Sequence, residues 1–219
     1  MSPTALMGVD LGTSSTKTVL IDASGRLLAS AAREYPVDTP HPGWAEQDPE
    51  TWLLAATETM GEALDRAHVA PEEIAGIGLS GQMHGTVCLD RGGNLLRPAI
   101  IWADQRSRVQ VARVYRELGA ERLGAWTGNP LATGFMLASW LWLRDETPEV
   151  ARATTHLLLP KDYLRYRLTG ELGSEPSDSS STLLFDTARR EWCAPLQEAL
   201  GIDPALLPPI HDSAEVAGG

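Results

Sequence analysis

The chain has 219 residues, 43% of them hydrophobic and 21% charged, enough to bury a true core and too apolar for a disordered chain. Its 18 Lys and Arg against 29 Asp and Glu give a formal charge of −11, with no stretch that concentrates the basic residues, so nucleic acid and anionic membrane are poor partners. The two cysteines, Cys88 and Cys193, lie outside any CxxC or Cys/His ligand spacing, which argues against a disulfide framework or a zinc site and fits a reducing cytoplasm.

The N-terminus, MSPTALMGVD, has neither the basic nor the long apolar region of a targeting signal, and no window approaches membrane-spanning length. The apolar runs MGVDL (7–11), KTVLID (17–22) and LLASAAREYP (27–36) alternate with turn signals and predict three consecutive antiparallel strands. After the loop HPGWAEQDP (41–49), Asp48 is placed to N-cap a helix with Pro49 at its first position, and Trp52, Ala56, Met60, Ala63 and Ala67 fall on one face. IAGIGLSG (74–81) is a near-continuous apolar run of the kind found in buried parallel strands, reached across that helix. The order is therefore β-β-β-α-β.

Farther on, TVCLD (86–90) and PAIIW (98–102) read as strands around the turn Arg91-Gly92-Gly93-Asn94, and Asp104 is expected to open a helix carrying Val111, Tyr115 and Leu118. A polar loop, TGNPLATG (127–134), precedes a Trp-rich helix at 135–145, then a short strand HLLLP and a helix from Lys161 to Leu168. The Ser-rich segment SEPSDSSST (174–182) is too short for a disordered linker, and no internal domain boundary is visible, so residues 1–219 read as a single domain.

Two clusters could carry chemistry. The first is DLGTSSTK, where Asp10 interrupts an apolar strand and would be costly to bury unless compensated, for instance by a divalent cation. Gly12, Thr13, Ser14 and Ser15 make a turn small enough for N–H groups and hydroxyls to converge on an anion, and Lys17 could add a point charge. An ordinary hairpin with an Asp near its turn explains the same string about as well.

On the first strand of a β-β-β-α-β unit, this string resembles the sugar kinase, actin and heat-shock chaperone ATPase superfamily. That resemblance implies an α/β, ribonuclease H-like fold with a mixed sheet flanked by helices. It also implies that Asp10 orients Mg²⁺ through water while Gly12 and Thr13 contact the transferred phosphate of ATP.

The second cluster is GQMHG (81–85), directly after the apolar strand, where the carboxyl end of a parallel strand commonly lines a ligand crevice. A lone histidine is more often structural, but flanking glycines would let the backbone approach a polyol, and neutral imidazole can both donate to and accept from a diol. With HPGWAEQDP, RPAIIWADQR (97–106), TGN (127–129), LLPKDYLRYRLTG (158–170) and SDSSSTLLFD (177–186), the chain resembles the FGGY carbohydrate kinases, and among them those that act on xylulose.

The family resemblance implies ATP-dependent phosphorylation of D-xylulose or a related ketose, with Met83 and His84 contacting the sugar and Gln82 and Asp104 as weaker candidates. It also implies that the general base, an Asp in a Gly-rich segment, and a nucleotide-clasping carboxy-terminal domain lie outside this chain, so the chain alone is expected to be inactive. The alternatives are another pentulose or hexulose kinase of the family, or a non-catalytic sugar-binding module. A homodimer is left open. Ser139 departs from the family pattern, which has Lys there, and is read as a packing variation. The remaining tryptophans considered (Trp44, Trp52, Trp126, Trp140, Trp142, Trp192) are assigned to packing, Lys161 and Asp162 to helix electrostatics, and Asp178 to turn chemistry.

Overall fold

The computed structural model describes residues 5–218. Their contacts divide into two compact units, residues 5–37 with 48–82 and residues 38–47 with 83–218. In the first, β1 (Ala5–Leu11), β2 (Ser15–Asp22) and β3 (Leu27–Glu34) form the predicted antiparallel meander, and β5 (Ile74–Gly81) adds parallel to β1. The sheet order is β3-β2-β1-β5, mixed as expected. Strand alternation buries Ala5, Met7, Val9 and Leu11 and leaves Leu6 and Asp10 exposed.

Helix α1 (Pro49–Ala67) covers the buried face of β2 and β3. It starts as the sequence predicts: the Asp48 carboxylate accepts the Glu50 N–H at 3.0 Å, and Pro49 occupies the first turn where its missing donor costs nothing. Trp52, Ala55, Ala56, Thr59 and Ala63 are buried, whereas Met60 and Ala67 are only half-buried, so the inward face is rotated slightly from the expected one. The buried Thr59 hydroxyl meets the Thr18 hydroxyl at 2.8 Å, which satisfies two polar groups between helix and sheet.

The expected burial of IAGIGLSG is not found. β5 is a sheet edge, with Ala75, Ile77, Gly78 and Ser80 exposed. One helix about 10 Å across spans roughly two strands spaced about 4.8 Å apart, and α1 lies over β2 and β3, so the apolar side chains of β5 remain uncovered.

In the second unit, β4 (Glu46–Gln47) pairs antiparallel with β7 (Ala99–Ile100), and β6 (Val87–Leu89) with β8 (His156–Leu158). The two strands read as a hairpin do face each other across the 90–94 turn, through the antiparallel Leu89–Leu95 and Thr86–Ile100 bridges and the Leu96 N–H donating to the Cys88 carbonyl at 3.1 Å, and each also takes a further partner. Among the described residues seven α-helices follow β7: α2 (Arg108–Leu118), α3 (Ala120–Thr127), α4 (Met136–Glu146), α5 (Pro148–Ala153), α6 (Pro160–Thr169), α7 (Pro176–Ser179) and α8 (Ala194–Leu200). Helix α2 begins four residues after Asp104, because that carboxylate is committed elsewhere. Helix α4 is buried from Met136 to Leu143 and forms the centre of the hydrophobic core, with Trp140 and Trp142 packed as expected and Ser139 enclosed among them.

Replacing the Asp48 cap tests the start of α1. Asp48→Ala is expected to lower stability by about 1 kcal/mol in urea denaturation, with Asp48→Asn recovering most of it. An unchanged midpoint in Asp48→Ala would show that Pro49 alone fixes the helix start.

Candidate active site

The β1–β2 turn is built around a buried tyrosine. The Gly12 N–H donates to the Ser15 carbonyl at 2.9 Å, and a Cβ on Gly12 would lie 2.9 Å from that same oxygen, so glycine is required for the turn to close. Tyr35 pins both sides: its N–H donates to the Ser14 carbonyl at 3.0 Å, and its hydroxyl donates to the Gly12 carbonyl at 2.6 Å and lies 3.2 Å from the Thr16 hydroxyl. Burial, with the nearby Asp10 charge adding to it and the Thr16 hydrogen bond opposing, pushes the Tyr35 phenol above its ordinary value. It stays neutral and keeps donating. Tyr35 escaped the sequence reading, because a tyrosine at the end of a strand looks like ordinary strand composition.

Asp10 and Lys17 are register partners across β1 and β2, both exposed on the open face of the sheet. Asp10 accepts a hydrogen bond from the Ser80 hydroxyl at 2.8 Å. The expected burial cost at Asp10 does not arise, since alternation turns it to the open face. Thr13 is half-buried and Ser14 exposed at the turn. Gly12 shapes this turn and spends its own amide in closing it.

GQMHG divides into residues with different work. Gln82 is buried, and its N–H extends the β1–β5 ladder by donating to the Leu11 carbonyl at 2.7 Å. Met83 is 42% exposed. His84 sits in the left-handed region at φ 68°, rare for a side-chain-bearing residue. Its Nδ1 lies 2.8 Å from the Ser181 carbonyl, and its ring packs on Phe135 with centroids 4.1 Å apart. Gly85 is not a ligand approach: a Cβ there would meet the Pro160 ring at 2.8 Å, so this glycine admits the first turn of α6.

Trp102 belongs to the same locality. Thr86 and Ile100 exchange two backbone hydrogen bonds, of 2.8 and 3.2 Å, and Gly134, next to Phe135, packs so tightly on the Trp102 main chain that a Cβ would fall 2.0 Å from its carbonyl oxygen. With 48% exposure, Trp102 presents an aromatic face that the sequence reading passed over.

Asp104, expected near the sugar, is buried and fully engaged. Its carboxylate accepts the Ala45 N–H at 2.7 Å, the Arg106 N–H at 2.8 Å and the Arg106 Nε–H at 2.9 Å. The Arg106 guanidinium lies 3.7 Å from the Trp44 ring centroid and 4.9 Å from that of Trp142, and reaches Glu46 at 2.7 Å. Through these bonds Asp104 holds the loop that carries Trp102.

Lys161, Asp162 and Asp178 are also more than local helix and turn chemistry. The Lys161 ammonium donates to Asp162 at 2.7 Å and lies 3.4 Å from Asp178 and 3.5 Å from Glu175. Burial is the main cause that lifts the Asp178 carboxyl to about 6, with Lys161 pulling it back and Asp162 and Glu175 adding to the rise.

Among the described residues no three His, Cys, Asp or Glu side chains converge as a metal site, and no helix is long and apolar enough to cross a membrane. The chain matches the FGGY family of carbohydrate kinases, N-terminal domain, over residues 5–219. It belongs to that family. It is 38% identical over 213 residues to a xylulose kinase from Bacillus subtilis, covering 97% of this chain and 42% of the relative. A solved xyloylose kinase from Brucella ovis is 40% identical, with a TM-score of 0.91 over 98% of this chain and 44% of that one. A gluconate kinase from Lactobacillus acidophilus is 28% identical, with a TM-score of 0.92 over 98% of this chain and 43% of that one. The chain spans less than half the length of these relatives.

Two measurements test the contacts of this FGGY domain. Gly85→Ala should destabilise it by about 1–3 kcal/mol through overpacking against Pro160, and Pro160→Ala added to it should restore part of the loss; an unaffected Gly85→Ala would show that α6 can yield. The raised carboxyl of Asp178 stabilises the fold while protonated, so its contribution is complete below about pH 4 and is lost as the pH rises through about 6. Asp178→Asn should flatten that part of the stability profile, and an unchanged slope would remove Asp178 as its source.

Proposed function

We propose that this chain is the amino-terminal domain of a kinase that transfers the γ-phosphate of ATP to D-xylulose, giving D-xylulose 5-phosphate. The observation that carries the reading is His84, whose unusual backbone, aromatic support and hydrogen-bonded Nδ1 leave the ring fixed beside the exposed Met83. An imidazole held this way suits sugar hydroxyls, which need placed acceptors and donors. Trp102 adds an apolar surface for the carbon face of a sugar.

Asp10, Gly12, Thr13, Ser14 and Lys17 are assigned to the phosphate end. A single exposed carboxylate is adequate for Mg²⁺ held largely through water and phosphate oxygens, and bound there the ion would neutralise developing phosphate charge. Asp10 is the residue that would orient it, with the Ser80 hydroxyl fixing the carboxylate. The Tyr35 hydrogen bonds keep the turn rigid, and Lys17 supplies positive charge on the same face. The general base and the adenine site fall to the carboxy-terminal portion found in the longer relatives, and the working compartment is the cytoplasm.

A second reading, phosphorylation of a different sugar or sugar acid, is favoured by the likeness to the gluconate kinase. Kinetics of the full-length polypeptide on D-xylulose, D-ribulose, glycerol and gluconate separate the two. The 219-residue chain alone should release no ADP in response to D-xylulose. In the full-length protein Asp10→Ala should abolish turnover while sparing xylulose binding, and His84→Ala should raise the xylulose KM several-fold, each lost hydrogen bond being worth about 0.5–1.5 kcal/mol, with the ATP KM little changed. Lost xylulose binding in Asp10→Ala, or a preferred gluconate substrate, would overturn the assignment.

A further inference from the structure

His84 receives its orientation from a segment far away in sequence. A carbonyl oxygen only accepts, so the contact between His84 Nδ1 and the Ser181 carbonyl requires Nδ1 to carry the proton, and in the neutral ring Nε2 is then the acceptor. The direction and strength of that bond depend on where the Ser181 peptide is held.

That peptide sits in a short, densely bonded turn. The Ser181 hydroxyl donates to the Asp178 carbonyl at 2.6 Å and the Thr182 hydroxyl to the Ser179 carbonyl at 2.6 Å. Glu175 accepts the Ser177 and Asp178 N–H groups, each at 2.8 Å. Asn129 donates from its amide to the Ser180 carbonyl at 3.2 Å. The turn is rigid within itself, and Lys161 is the charge that ties it to the rest of its unit, lying among Asp162 of its own helix and Glu175 and Asp178 of the turn.

Lys161 follows Pro160, whose ring is the surface against which Gly85 packs. The start of α6 therefore packs on Gly85, next to His84, and holds the Ser181 turn through Lys161.

We propose that Lys161, with Asp178 and Glu175, is a positioning residue for His84: the ion cluster clamps the 175–182 turn to α6 so that the Ser181 carbonyl fixes the imidazole as its Nδ1–H tautomer and leaves Nε2 to accept from a substrate hydroxyl. The charges are mostly withdrawn from water, with Lys161 9%, Asp162 2% and Asp178 7% exposed, so their value lies in fixed geometry more than in net stability. The last clause, concerning the substrate, rests on the sugar-site reading above; the clamp itself does not.

The test reads the tautomer directly. Nitrogen-15 NMR of His84 in the 219-residue chain should show a single Nδ1–H tautomer above the pH range in which Asp178 titrates. Lys161→Met should mix the two tautomers. Because this variant leaves carboxylates without their cation and can lose stability, Asp178→Asn and Ser181→Ala are measured beside it; each loosens one link of the clamp and should also admit the second tautomer. An unchanged Nδ1–H signal in folded Lys161→Met, or in both milder variants should Lys161→Met not fold, overturns the clamp.

In the full-length kinase the variants that mix the tautomers should raise the xylulose KM several-fold and leave the ATP KM unchanged. Mixed tautomers with an unchanged xylulose KM would uphold the clamp and overturn the sugar-site reading of His84.

Discussion

A hydrogen bond between the ring of His84 and a carbonyl 97 residues later ties together two distant stretches of the second unit. It selects one proton position on the imidazole, and it does so from a backbone conformation that a histidine seldom adopts. Such a conformation persists only where its surroundings over-determine it. Phe135 closes one face of the ring, and the Met83 carbonyl accepts the Gly85 N–H at 2.8 Å, which tightens the chain around His84. The Pro160 ring occupies the space where a side chain on residue 85 would stand.

The same unit places its other buried charges in comparable fashion. Arg106 has 1% side-chain exposure and is held by Asp104, Glu46 and the faces of two tryptophans. Removing a guanidinium from water is expensive, and carboxylates and aromatic faces only offset that cost when the geometry is tight. What the arrangement secures is position: the Ala45 N–H and the Arg106 backbone converge on one carboxylate, and the chain between Ile100 and Asp104 is fixed at its carboxyl end. Trp102 is carried on that stretch. Its exposed ring thus rides on a stretch of chain anchored by that polar network.

Local features of this fold were open to reading from sequence, and partners were not. The meander, the Asp48 cap and the parallel return of β5 follow from short-range periodicity and capping chemistry, and all three are found. Burial of β5 did not follow, since an apolar strand is covered only if a second layer reaches it, and α1 is too narrow to do so. The hairpin expected from residues 86–102 is present around the 90–94 turn, but the additional pairing of β6 with β8 and of β7 with β4 is made by tertiary packing and has no local signal. Asp104 is expected to open a helix, yet its bonds to residues 45 and 106 bury it and the helix begins later. Tyr35, Trp102 and the Lys161 cluster had no local signal that separated them from ordinary strand, core and cap residues.

GQMHG shows what such a string means physically. Its glycines are expected to let the backbone approach a polyol; in the structure Gly85 makes room for a proline ring. Gln82 continues a strand ladder through its main chain, and Gly85 is small because a proline ring is pressed against it. Met83 is the exposed side chain of the string, and His84 has already spent one nitrogen on the protein. A site of this kind discriminates through what it cannot rearrange: a hydroxyl in the right place meets a ready acceptor at Nε2, and a ligand without it leaves a polar atom unsatisfied. Specificity would then reside as much in Phe135 and Ser181, which contact that ring, and in the proposed Lys161 clamp behind them, as in His84 itself.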